Sequence, residues 1–203
     1  MRINQFALSL LIPAVVALVG LPGQALAQAK KAESKAAAPM TGKDAYWEVY
    51  KLARQWSPDI QVLSLKSETV PGSAAGDGKA AAWTVAVASP TMKQMRTITW
   101  SLVPFGAFKK GMNSGAPVAW AGPTTKSKPF SMTDVTLDSS DAEKKATDDP
   151  KGATWLKAHP GLPVEYYLGS EQKYPAPVWV VTHGNKAERY TKALLSSTGA
   201  AVQ

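Results

Sequence analysis

Arg96-Thr97-Ile98-Thr99-Trp100-Ser101-Leu102 decides the fold class. Ile98, Trp100 and Leu102 alternate with Thr97, Thr99 and Ser101, the period of a strand with one buried face. Upstream, Ala82 to Ser89 carries Trp83, Val85 and Val87 on one face, and Ile60 to Val70 reads as a further strand. Pro71-Gly72 through Gly76-Asp77-Gly78 supplies a turn-rich loop between them. Before Ile60 the period changes. Ala45, Val49, Leu52, Ala53 and Trp56 lie on one face of a helix, while Lys43, Glu48, Lys51, Arg54 and Gln55 take much of the rest. Thr41 and Asp44 make a capping-box-like pair at its start, and Ser57-Pro58 disfavours continuation. Residues 41–104 therefore predict one helix followed by three strands.

The order recurs downstream. Ser140 and Glu143 read as a capping box, Asp149-Pro150 as a second helix start with proline at its first position, and Pro160-Gly161 as the stop. Leu162–Gly169, Val178–His183 and Arg189–Leu195 read as strands. Trp56-Ser57-Pro58-Asp59-Ile60-Gln61-Val62 aligns with Ala158-His159-Pro160-Gly161-Leu162-Pro163-Val164 at an offset of 102. Ala82-Trp83-Thr84-Val85 aligns with Val178-Trp179-Val180-Val181 at an offset of 96. The difference falls in the loop at 71–79, where chain length changes at small entropic cost. An internal duplication is expected, with units of roughly 65 to 75 residues that are small for a lone core and gain from packing side by side.

The chain has 203 residues, 45% hydrophobic and 19% charged, within the globular range. It has no cysteine, which excludes disulfides, thiol catalysis and thiolate metal sites, and only two histidines, His159 and His183. Arg2, the apolar run Phe6–Leu21, the breakers Pro22-Gly23 and the small-x-small pattern Ala25-Leu26-Ala27 read as a cleaved export signal over 1–27. Cleavage before Gln28 removes Arg2, lowering the formal charge by one from +8. Residues 28–40, rich in Ala and Lys, read as a flexible tether. A bacterial periplasmic or secreted protein with no stable membrane span after cleavage is expected. Export argues against nucleic acid as a partner, as does a basic complement of 19 Lys against 4 Arg, because phosphate and base forks favour arginine.

Asp138-Ser139-Ser140-Asp141-Ala142, a helix ending at a proline, Pro177-Val178-Trp179-Val180-Val181 and a late Ser197-Thr198-Gly199 together resemble a PepSY-type domain. The resemblance covers about residues 130–203 and, more weakly, 41–104. Leu195 and Ser196 stand where the family has an acidic residue, and the first half has no Thr-Gly turn. The resemblance implies an α+β fold of two cystatin-like units, each a helix on a three- to four-stranded antiparallel sheet. It also implies an extracytoplasmic protein without catalytic residues, of a kind often associated with regulating peptidases.

No Gly-x-Ser-x-Gly elbow occurs, and the phosphate-loop-like spacing of Gly106 and Gly111 is followed by Met112 and Asn113. His159 is expected at a helix end and His183 in an exposed hairpin turn. Asp138, Asp141, Glu143, Asp148 and Asp149 fall where helix N-termini attract negative charge. No enzyme activity, cofactor or metal is expected. The Gly/Pro/Lys-rich connection at 105–129 carries Phe105, Phe108 and Trp120, with Phe130 after it. Loop aromatics either dock on the domains or wait for a partner. Phe108 and Trp120, with Lys109 and Lys110 at the rim, are therefore the candidate partner-binding residues. The expected partner is a protein or an envelope component. The alternatives are a carboxylate-based hydrolase or lyase on a cystatin-like scaffold and a Lys-rich binder of anionic envelope polymer.

Overall fold

The computed structural model describes residues 38–73 and 75–202. The expected export signal, its expected cleavage point and the expected tether as far as residue 37 lie outside the described residues. In chain order the elements are β1 (Met40–Thr41), α1 (Gly42–Trp56), β2 (Gln61–Ser67), β3 (Lys79–Ala80), β4 (Ala82–Ser89), β5 (Gln94–Ser101), β6 (Gly111–Ser114), β7 (Val118–Ala119), a 3-10 turn at Met132–Asp134, α2 (Ser139–Asp148), α3 (Pro150–Ala158), β8 (Val164–Gly169), β9 (Val178–Gly184) and β10 (Arg189–Leu195).

The protein is α+β. One antiparallel sheet runs β10-β9-β8-β2-β4-β5-β6, and β7 also pairs with β5. β2 and β8 form the central seam through Ser64↔Gly169, Leu65↔Leu168 and Lys66↔Tyr167. From that seam each half lays its strands outward in chain order. One apolar cluster holds residues of both halves: Val49, Leu65, Val85 and Ile98 with Tyr166, Leu168, Val181 and Leu194. A bulge between Val62 and Ser64 turns Leu63 to the opposite face, where it packs with Ala86 and Ala88.

The helices show why the sequence takes this shape. Thr41 caps α1 by accepting from Asp44 N, and Gly42, Ala45, Tyr46, Val49 and Ala53 are buried. Small residues at 42, 45 and 53 let the helix approach the sheet closely. A Cβ on Gly42 would lie 2.7 Å from Trp179 and 3.3 Å from Trp83. These tryptophans play matching parts. The Trp83 indole N–H donates to Met40 O at 2.9 Å and that of Trp179 to Leu137 O at 3.0 Å. Each acceptor immediately precedes a helix N-cap, Thr41 or Asp138.

Four sequence expectations are corrected. The capping box of α2 is Asp138 with Asp141, not Ser140 with Glu143, because Asp138 starts the helix earlier and its Oδ1 also accepts from Lys43 N at 2.9 Å. Glu143 instead turns inward, 9% exposed, and accepts from Gly78 N–H and the Tyr166 hydroxyl. Met40, read as tether, pairs with Ala80 in a two-stranded sheet. The 105–129 connection contains β6 and β7, which cover the free edge of β5 through Ile98↔Ser114 to Ser101↔Gly111 and through Gln94↔Ala119.

The fourth correction concerns His183. It is buried inside β9, paired with Val164 and Tyr190, because the hairpin turn starts only at Asn185. Its Nε2 has no hydrogen-bonding partner, and burial pushes its pKa below the ordinary value against the opposing pull of Glu143. His159 behaves oppositely. Its ring contacts Trp155 O and Glu188 Oε1, each at 2.8 Å, and these raise its pKa, the backbone carbonyl most. Below the unfolded histidine pKa of about 6.5, the unfolded chain gains a proton that folded His183 resists. His183 thus lowers stability as pH falls, while His159 lowers it as pH rises. Urea titrations at about pH 5.5 and 7.5 should show the two slopes separately. His159→Gln should gain stability on going to the higher pH, and His183→Leu should lose it.

Candidate functional site

α1 places two aromatic rings off its buried stripe. Trp47 is 47% exposed on the face that Lys43, Lys51 and Arg54 share, and Tyr50 is half-buried beside it. With buried Tyr46 they form a cluster, Tyr46–Trp47 at 4.9 Å and Trp47–Tyr50 at 5.5 Å between ring centroids. Arg54 lies over the Tyr50 ring at 5.9 Å, which holds that ring from its outer side.

Facing this cluster is the stretch 129–134. Phe130 N–H donates to Val62 O at 3.0 Å, which ties the stretch to β2. Phe130 and Met132 then turn into the core, leaving Ser131, Thr133 and Asp134 at the surface. Lys43 Nζ binds the carbonyls of Val135 and Thr136 and braces the same segment against α1. Between the two walls lies a cleft of about 380 Å³ floored by Ile60, Val62 and Phe130. That volume is in the range of small-ligand sites. Burial pushes the Tyr46 hydroxyl up to about 12, with Tyr50 adding to the effect, so this phenol is neutral and able to donate. The cleft offers stacking faces, the Gln61 amide, the hydroxyls of Tyr46, Tyr50, Ser131 and Thr133, and the Asp134 carboxylate.

The residues expected to bind a partner sit elsewhere. Phe108 and Phe105 exchange backbone hydrogen bonds at 2.9 and 3.1 Å, with ring centroids 5.1 Å apart. Phe105 packs on Val70, Ala81 and Ala82. Lys109 and Lys110 are exposed beside them, and the Asn113 amide brackets the Lys109 backbone at 2.9 and 2.7 Å. Trp120 packs on Leu63, Ala86 and Ala88, as Met95 does, and the Trp120 backbone N–H donates to Lys93 O at 2.9 Å. Phe108 precedes the strand that starts opposite Ser101, and Trp120 is tied to Lys93 beyond Gln94; those two ends of β5 are roughly 23 Å apart at strand rise. The structure does not bring them into one patch. Trp120 docks on the sheet, so Trp120→Ala should lower stability by about 1–2 kcal/mol in urea denaturation.

Asp138, Asp141 and Asp149 serve the helices, whereas Glu143 faces Gly78 and Tyr166. Asp138 and Asp141 form the cap of α2, and Asp149 caps α3 through Lys151 N and Gly152 N. Asp149 also pairs with Lys192 at 2.5 Å, which with the cap holds its carboxyl at about 2. The cleft was not legible in the helical pattern. Its one signal is a tryptophan at 47, a position that falls among charged residues.

No family model matches the chain, and no curated protein matches it. Among solved structures, one from Clostridium difficile 630, described as a "putative lipoprotein", is similar with a TM-score of 0.49 and 10% identity, covering 82% of this chain and 93% of that one.

Proposed function

We propose that this is an exported, non-enzymatic binding protein of the bacterial cell envelope, periplasmic or secreted, and that its ligand site is the cleft between α1 and residues 129–134. The observation that carries the reading is the half-exposed Trp47 indole at the mouth of a cleft with a fixed floor. Rigid aromatic anchors give large contact area at small entropic cost, and neighbouring hydrogen-bonding side chains set orientation. The sequence of residues 1–27, which reads as an export signal, supports the location. No helix among the described residues is long and apolar enough to cross a membrane.

The test is a paired substitution, Trp47→Ala with Tyr50→Ala, assayed for retention on purified envelope material. Retention should fall at least about tenfold, since losing an aromatic anchor costs on the order of 2 kcal/mol. Trp47→Ala alone should change thermal stability little, because Trp47 is only half covered, while Tyr50→Ala should lower it modestly, because Tyr50 packs against the core. Unchanged retention would place the ligand site elsewhere.

A further inference from the structure

We infer that the cleft is one end of a longer groove built for a linear acidic glycan, with a sugar ring on Trp47 and Tyr50 and anionic groups on Lys126, Lys128 and Lys173. The inference rests on the cleft being a ligand site and goes further by naming the ligand's chemistry. Gln61 and Pro129 wall the aromatic cleft and also wall a second depression of about 700 Å³, where Lys128, Thr124 and Gln172 join them. Thr125 and Gln172 in turn belong to a third, with Lys126, Glu171 and Lys173. Each depression shares two wall residues with the next, so the three lie in series, which suits a chain of repeating units better than a compact molecule.

The groove is held by backbone bonds. Phe130 N–H donates to Val62 O at 3.0 Å, Lys128 N–H to Ser170 O at 2.9 Å and Gln172 N–H to Thr125 O at 2.9 Å. A ligand therefore meets a pre-formed surface. The two ends differ in chemistry. At the aromatic end ring faces, hydroxyls, the Gln61 amide and the Asp134 carboxylate, an acceptor for hydroxyls that keeps the ligand's anionic groups toward the other end, match the apolar face and hydroxyls of a sugar. At the other end Lys126 and Lys128 are exposed and make no ion pair among the described residues, and Lys173 faces Glu171 at 3.6 Å. Three ammonium groups against one carboxylate leave a net positive end. Lysine acts as a strongly hydrated point charge, so it accepts carboxylate or phosphate without demanding a fixed geometry.

Calorimetric titration of the full exported chain with three probes tests this. Hexagalacturonate has rings and charge, its methyl ester has rings alone, and polyphosphate has charge alone. Hexagalacturonate should bind at least about tenfold more tightly than either control, and raising salt from about 0.02 to 0.3 M should remove most of that advantage. Lys126→Ala with Lys128→Ala should reduce hexagalacturonate to the affinity of the ester, and Trp47→Ala should weaken the acid and the ester alike. Equal binding of acid and ester overturns the acidic class and leaves the cleft reading standing. Equal binding of acid and polyphosphate, or no binding of hexagalacturonate, overturns the glycan. If envelope material is retained equally by wild type and Trp47→Ala, the cleft reading fails as well.

Discussion

Gly78→Ala should cost about 3–5 kcal/mol of folding stability, or prevent folding. Gly78 has φ +72°, the left-handed region that a side chain resists by about 1–2 kcal/mol. A Cβ there would also stand 2.2 Å from the Cα and N of Ser140. These are backbone atoms at the start of α2, so relief requires moving the helix. Such movement breaks a shared polar knot. The Ser139 hydroxyl receives the Gly42 N–H at 2.8 Å and donates to Gly78 O at 2.5 Å, while Gly78 N–H serves Glu143 and Tyr166. An unsatisfied buried partner costs about 1–3 kcal/mol. Gly72→Ala is the control, because φ is +75° but no atom lies within 4 Å of the added carbon. It should cost about 1–2 kcal/mol. Equal losses for the two variants, measured by urea denaturation, would mean that the 76–79 turn does not press on α2.

Trp179→Ala and Trp83→Ala should each cost about 3–5 kcal/mol. Both side chains are completely buried and meet at Gly42, so truncation opens a cavity that α1 cannot collapse into without leaving the sheet. Each change also strips a carbonyl, Leu137 O or Met40 O, of its indole donor. Trp179→Phe keeps most of the volume and should cost about 1–3 kcal/mol, chiefly the lost hydrogen bond. Trp47→Ala should stay within about 1 kcal/mol. A Trp47 effect as large as that of Trp179 would contradict its half-exposed position.

The fold was legible where one face of an element is buried. Ala82–Ser89 and Arg189–Leu195 are the strands that periodicity gives, because Trp83, Val85 and Val87 need the core. β6 and β7 were not, because Gly111–Ser114 and Val118–Ala119 join the sheet through backbone bonds to β5 and carry no alternating apolar pattern. Glu143 looked like a cap because its spacing from Ser140 fits one; only the position of Tyr166 and Gly78 across the core shows why a carboxylate turns inward. His183 looked like a turn residue because Gly184-Asn185 follows it, yet strand pairing carries β9 through Gly184. The aromatic cleft needed two distant segments to meet. Trp47 lies on α1, while Phe130 comes after β7 and is tied back to Val62, and no local pattern encodes that meeting.

The most direct measurement is the shift of the Trp47 indole N–H signal when isotope-labelled protein is titrated with purified envelope glycan. Seven tryptophans give seven indole signals, and Trp47→Ala identifies the one at issue. The Trp47 signal should move with increasing ligand while those of the buried Trp83 and Trp179 stay in place. A titration that shifts Trp120 or Trp155 and leaves Trp47 still would contradict the cleft as the binding site.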